Sequence, residues 1–133
     1  MITNSSITVL VVDDDEMIRE CVAAYLEDEG FTVFTAESSE KGLESVTSVH
    51  PHVCITDMRL PGINGDQFII RAHQLYSGTR YLLHTGMLYS LSDELRLIGM
   101  TADDVLLKPI HDLSKLVARI RYLATDGGHH AVG

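Results

Sequence analysis

The chain has 133 residues, of which 45% are hydrophobic and 22% charged, and a net charge of −9. That is enough for one domain with its own core, too apolar for a disordered chain, and acidic enough that direct binding to a nucleic-acid backbone is not expected. No apolar run is long enough to cross a bilayer as a helix, no signal-peptide pattern opens the chain, and Cys21 and Cys54 lack metal or CxxC spacing, so both are expected in the core of a cytoplasmic protein.

Residues 1–5 read as a flexible leader and residues 6–125 as the domain. Residues 7–12 (ITVLVV) are a β-branched run ended by Asp13-Asp14-Asp15, and a wholly apolar strand is buried on both faces, as in the middle of a parallel sheet. Met17, Ile18, Cys21, Val22, Tyr25 and Leu26 recur at helical spacing until Gly30 stops the helix. Residues 31–35 (FTVFT) alternate like a half-covered edge strand. Ser38 or Ser39 caps a second helix carrying Leu43 and Val46, which His50-Pro51 breaks. Residues 53–57 (VCITD) form a third compact strand ending in the carboxylate of Asp57. A loop punctuated by Pro61, Gly62 and Gly65 leads to a third helix from Asp66, with Phe68, Ile69, Ala72, Leu75 and Tyr76 on one side. Residues 80–85 (RYLLHT) are the fourth strand. A fourth helix follows, carrying Leu91, Leu95 and Ile98, with Ser90 and Asp93 at capping-box spacing. Residues 105–107 are the fifth strand, closed by Lys108-Pro109, and Asp112 caps a last helix bearing Leu113, Leu116, Val117, Ile120 and Leu123. Residues 126–133 read as a flexible tail. Five strands alternating with five helices make a single doubly wound α/β domain.

In such a sheet, ligands bind outside the carboxyl ends of the strands. Those ends carry Asp13 and Asp14, Asp57, Thr85, and Lys108. Each residue alone has a structural reading: Asp57 as a turn or helix cap, Asp13 and Asp14 as a solvated turn, Thr85 as a strand end, Lys108 as a surface charge. Together they converge on one crevice. At an effective dielectric near 20, each carboxylate pair ~4 Å apart costs about 4 kcal/mol, so a cation belongs among them. Hard carboxylate oxygens suit Mg²⁺, with Mn²⁺ as a substitute, rather than zinc or iron. Lys108 adds a mobile positive charge and Thr85 a hydroxyl donor. The set suits phosphoryl transfer to Asp57 as nucleophile, giving an acyl phosphate whose oxygens meet the metal, Lys108 and Thr85. His84 alternates to the other side of its strand and reads as structural, while His111, His129 and His130 read as exposed. Gly62 and Gly65 do not match a nucleotide loop and follow the wrong strand.

The motifs VVDDDE (11–16), DMRLPGING (57–65), HTG (84–86) and ADDVLLKPI (102–110), in this order and spacing, closely resemble the receiver domain of two-component response regulators. The resemblance implies a flavodoxin-like (βα)5 fold with strand order 2-1-3-4-5. It implies that Asp57 is the phospho-acceptor, that Asp13, Asp14, Asp57 and the backbone carbonyl of Arg59 hold Mg²⁺, that Thr85 is the switch hydroxyl, and that Lys108 binds the phosphoryl group from a cis Lys108-Pro109 peptide. The implied donor is a phosphohistidine on a histidine kinase or phosphotransfer protein, with small acyl phosphates as substitutes. The domain itself would catalyse the transfer and the slow hydrolysis of its phosphoaspartate. No effector segment is recognised after residue 125, so output is expected through a partner protein on the face of helix four, strand five and helix five, from a monomer or weak homodimer without membrane attachment. The chain departs from the family pattern at Val105, where Tyr or Phe is usual and reports by ring burial, and at Thr101, where glycine is common. Arg59 and Met87 flank the site at variable positions. Competing readings are the receiver part of a larger DNA-binding, enzyme-output or hybrid-kinase protein, and an adaptor that works without phosphorylation. An aspartyl-nucleophile phosphatase would carry its nucleophile in a DxD motif after the first strand, which this chain does not.

Overall fold

The sheet is parallel throughout, with strands β1 (Thr8–Val12), β2 (Thr32–Ala36), β3 (Val53–Asp57), β4 (Arg80–Thr85) and β5 (Val105–Leu107) in the order β2-β1-β3-β4-β5. The helices are α1 (Glu16–Asp28), α2 (Ser39–Val49), α3 (Gly65–Leu75), α4 (Asp93–Leu97) and α5 (Leu113–Ala124). This computed structural model describes residues 3–125. The doubly wound order is the expected one. Because β2 lies outside β1 and β3 lies on its other side, the winding reverses between β1 and β3, and a crevice opens beyond their carboxyl ends. The register keeps those ends level: Val12 pairs with Thr56, Asp57 with His84, and Thr85 with Leu107.

Period-two alternation divides the strand residues between two cores. Leu10, Val12, Cys54, Tyr81 and Leu83 face Val46, Phe68, Ile69 and Leu95 from α2, α3 and α4. Val9, Val11, Val53, Ile55 and Leu82 face Val22, Leu26, Leu116, Ile120 and Leu123 from α1 and α5. Each fully buried aliphatic side chain contributes about 1.5–3 kcal/mol relative to exposure, so both faces anchor the sheet. The helix starts are chemically marked. Asp15, Ser38, Ser92 and Asp112 accept hydrogen bonds from the N–H groups of Ile18, Lys41, Leu95 and Ser114, each cap contributing about 1 kcal/mol.

Several expectations need correction. The fourth helix is short and is capped by Ser92, not by a Ser90–Asp93 box. Gly99 ends it: at φ +102 it donates to the Arg96 carbonyl while Met100 donates to that of Leu95, a left-handed C-terminal turn that only glycine adopts freely. Leu75, at the last position of α3, is 57% exposed and outside the core. On α1 the buried stripe runs through Val22, Ala23 and Leu26, so Met17 and Cys21, four residues apart on the adjacent stripe, are exposed. Cys54 is buried as expected. The second strand begins one residue later than read, with Phe31 buried just ahead of it. The leader is structured from Asn4 to Ser6 as a 3-10 turn, because Asn4 donates to the Glu29 carbonyl at 2.6 Å and accepts from Arg121. Residues 126–133, with His129 and His130, lie outside the described residues.

Tyr81 is buried edge-on to Phe68, and its hydroxyl has no hydrogen-bond partner among the described residues. A buried hydroxyl without a partner costs about 1–3 kcal/mol. Tyr81→Phe is therefore expected to raise the urea midpoint, with a gain on the order of 1 kcal/mol and an unchanged m-value. A lower midpoint would show that the hydroxyl is satisfied after all.

Candidate functional site

The site is built where β1, β3, β4 and β5 end. Asp13 follows β1 and is 2% exposed. Its backbone is held on both sides: its N–H donates to the Ala36 carbonyl at 3.1 Å, and its carbonyl accepts from the Arg19 guanidinium at 2.8 Å. Its Oδ1 accepts the Asp15 N–H at 2.9 Å. Asp15 itself caps α1, so of the three consecutive acids only Asp13 and Asp14 are left for the crevice. Asp57 ends β3, almost buried, and the Thr56 hydroxyl donates to its backbone carbonyl at 2.9 Å. Gly65 packs directly on that carbonyl; a Cβ there would lie 2.1 Å from the Asp57 oxygen.

Asp13, Asp14 and Asp57 each present a carboxylate oxygen, and these oxygens lie within 4.8 Å of one another. Lys108 answers part of that charge, with Nζ 3.1 Å from Asp57 Oδ2 and 3.5 Å from Asp13 Oδ2. The Lys108–Pro109 peptide is cis, and the Lys108 N–H donates to the Thr85 carbonyl at 2.8 Å. Burial acts to lower the Lys108 pKa, but hydrogen bonding to Asp57 and the charges of Asp13 and Asp57 outweigh it and leave it raised. Asp13 is also raised, first by burial and also by the Asp57 charge, against the opposing pull of the Asp15 N–H and Lys108. One ammonium therefore does not satisfy the cluster, and an all-oxygen donor set of this spacing fits a further hard cation.

Thr85 ends β4, buried, and its Oγ1 accepts the Met87 N–H at 3.2 Å. A cavity of about 300 Å³ lined by Asp57, Arg59, Thr85, Gly86, Met87 and Lys108 opens from the cluster to solvent. The Arg59 guanidinium spans its rim to the Met87 sulfur at 3.3 Å. The structure thus brings Asp13, Asp14, Asp57, Thr85 and Lys108 together, with Arg59 alongside. Val105 stands apart and half-buried, beside a cavity of about 420 Å³ walled by Tyr89, Leu91 and Met100. Thr101 replaces a glycine without backbone penalty because its φ is −125°; it opens a 3-10 turn whose Asp104 carboxylate accepts the Thr101 N–H at 2.9 Å and pairs with Arg119 at 2.7 Å.

Two residues near the site escaped sequence reasoning. Arg19 steadies the Asp13 carbonyl, and its only signal is a cation in the first turn of a helix that starts beside the acidic pair. His84 was read as structural, and it is buried at 5% exposure. It nonetheless senses the site electrostatically: burial, then Lys108, push its pKa down to about 4, against the opposing pull of Asp57.

The signs of these shifts set two expectations. His84 is held neutral below the 6.5 of a free imidazole, so its contribution to stability is complete above pH 6.5 and is lost as pH falls toward about 4. His84→Leu is expected to flatten the melting temperature against pH in that window, and an unchanged slope would remove His84 as the titrating group. Asp13 has the opposite sense. Its raised pKa favours the fold below the usual carboxylate range, and that contribution is lost as pH rises through the folded value. At pH 7, Asp13→Asn is expected to raise the melting temperature of the metal-free protein by a few degrees and to abolish further stabilisation by Mg²⁺.

Comparison with known proteins agrees with this geometry. The profile of the response regulator receiver domain matches residues 9–121. The cell cycle response regulator CtrA of Brucella ovis is 28% identical over 123 residues, covering 92% of this chain and 52% of the relative, so the chain spans about half the length of the curated relatives it matches. Among solved structures, the response regulator TrrA of Thermotoga maritima, in complex with Mg²⁺-BeF, superposes with a TM-score of 0.75 at 27% identity over 88% of this chain and 98% of that one. The chemotaxis response regulator CheY4 of Vibrio cholerae gives 0.74 at 27% identity with the same coverage. The profile match runs from the first strand into the last helix and takes in every residue of the strand-end cluster: this chain belongs to the response regulator receiver-domain family.

Proposed function

We propose that the domain accepts a phosphoryl group on Asp57 from a phosphohistidine of a histidine kinase or phosphotransfer protein, as a cytoplasmic step in two-component or phosphorelay signalling. The observation that carries the reading is Lys108 Nζ at 3.1 Å from Asp57, with Asp13 and Asp14 completing the acidic cluster. Mg²⁺, or Mn²⁺ in its place, would be held by Asp13, Asp14, Asp57 and the Arg59 carbonyl, and when bound supplies positive charge against the phosphoryl oxygens.

The chain's own residues supply the rest. Asp57 attacks phosphorus, the P–N bond of the donor breaks as the P–O bond forms, and the donor imidazole, already protonated on its other ring nitrogen, leaves neutral. Lys108, already directed at Asp57, neutralises charge on one phosphoryl oxygen without reorganising. The Thr85 hydroxyl, whose oxygen holds the Met87 N–H, donates to another. Any movement of that hydroxyl toward the phosphoryl group pulls on the Met87 amide and so on residues 86–92. Arg59 and Met87, bridged over the rim, limit the approach of water and hence hydrolysis.

The output face is formed by α4, β5 and α5. Leu88, Leu97, Leu107 and Tyr122 are exposed on and beside these elements, Leu88 by 90%, and suit a downstream protein or a weak homodimer. With Val105 in place of a ring, the signal travels by the shift of residues 86–92 beside the 420 Å³ cavity. The greater length of the CtrA relatives favours a second reading, in which the same switch serves an output within a larger protein. The phosphorylation chemistry is common to both.

Intact-mass measurement after incubation with Mg²⁺ and acetyl phosphate is expected to show one phosphoryl adduct, absent in Asp57→Ala and without metal. Lys108→Ala is expected to slow its formation roughly a hundredfold. No adduct from either acetyl phosphate or a phosphohistidine donor would overturn the reading and leave a phosphorylation-independent adaptor.

A further inference from the structure

We infer that Ser39 is a positioning residue for the divalent-cation site, acting on the loop that carries Arg59; the inference rests on the metal reading above. Ser39 is the first residue of α2, and it is 3% exposed. Its neighbour Ser38 already caps the helix, so Ser39 is not needed there. Its hydroxyl, as donor and as acceptor, and its backbone N–H go instead to Pro61 and Ile63, more than twenty positions away. The hydroxyl donates to the Pro61 carbonyl at 2.9 Å and accepts the Ile63 N–H at 3.0 Å, and the Ser39 N–H donates to the same Pro61 carbonyl at 3.3 Å.

The loop is shaped around this contact. Gly62 has φ +96, and a Cβ on it would lie 2.4 Å from Ser39 Oγ. Leu60 seats in the core, and at the loop's end the Gly65 N–H donates to the Met58 carbonyl at 2.5 Å. Arg59 lies between these two ties, two residues beyond Asp57 and two before Pro61. The loop is therefore clamped at its crest by Ser39 and at its base by Gly65, and the peptide carrying the expected metal-ligand carbonyl is suspended between them. Mg²⁺ demands near-ideal octahedral geometry at about 2.0–2.1 Å, so a carbonyl that drifts by a fraction of an ångström loses its place in the shell. Removing groups that orient a metal ligand typically weakens metal affinity 10–100-fold.

The test is calorimetric titration with Mg²⁺ alone, beside thermal unfolding of the metal-free proteins. Ser39→Ala is expected to weaken Mg²⁺ binding about tenfold. Gly62→Ala, which keeps the hydroxyl but pushes the loop away from it, carries the same expectation and stands in if Ser39→Ala does not fold. Val46→Ala, which removes core packing from the same helix without touching the loop, is expected to lower the melting temperature and leave Mg²⁺ affinity unchanged. Wild-type affinity in folded Ser39→Ala, or in Gly62→Ala, would overturn the inference while leaving the metal site intact. An equal loss in Val46→Ala would also overturn it, by showing that general destabilisation suffices. Absence of Mg²⁺ binding in the wild type, or binding untouched by Asp57→Asn, would instead fell the metal reading and the inference with it.

Discussion

Three carboxylates meet at one end of the sheet, and the neighbourhood is arranged around their mutual repulsion. Lys108 is the protein's own answer, and it is incomplete: with the ammonium 3.5 Å away, burial first and the Asp57 charge after it still hold the Asp13 pKa up. Burying like charges together is costly unless cations and hydrogen bonds compensate. The cluster thus leaves a demand for positive charge that a divalent cation among these oxygens would meet, and the phosphoryl chemistry proposed for Asp57 would draw on that same cation.

The demand exists only because the topology concentrates it. Asp13 follows, and Asp57 ends, strands that are neighbours across the point where the winding reverses, and the register makes their ends level. Two apolar faces hold the sheet in that register. A slip of one residue would exchange side chains between the two faces and spoil the packing of both cores. The cost of holding the acids together is therefore met by packing remote from them.

The proposed switch would couple chemistry to surface through the same strand ends. The Thr85 oxygen holds the Met87 amide, so the position of one hydroxyl is linked to the course of residues 86–92. That segment leads into an α4 of only Asp93–Leu97, stopped by the left-handed turn at Gly99. A short helix with exposed Leu88 and Leu97 about it has little packing to lose when it shifts. Val105 lines a cavity where a ring would otherwise be buried, so in the proposed switch the backbone would carry the coupling.

The amino-acid order was enough to establish the parallel α/β architecture and the strand-end residues, because both follow from local patterns. Uninterrupted β-branched runs mark doubly covered strands, and each functional side chain sits at the boundary between such a run and a polar loop. The cap at Asp112, and that of the second helix as one of Ser38 and Ser39, were legible for the same reason, since capping is a contact between residues two or three apart. What was not legible depends on contacts distant in sequence. Helical spacing places Cys21 and Leu75 among apolar residues, but which stripe is covered depends on how each helix lies against the sheet. Ser39 was indistinguishable from Ser38 as a cap until the fold brought residues 61–63 against it. The neutral state of His84 likewise arises from burial and from the charge of Lys108, against the opposing pull of Asp57. Periodicity and capping act within a turn or two of chain, whereas burial, charge and hydrogen bonding across the crevice act between segments that meet only after the sheet has formed.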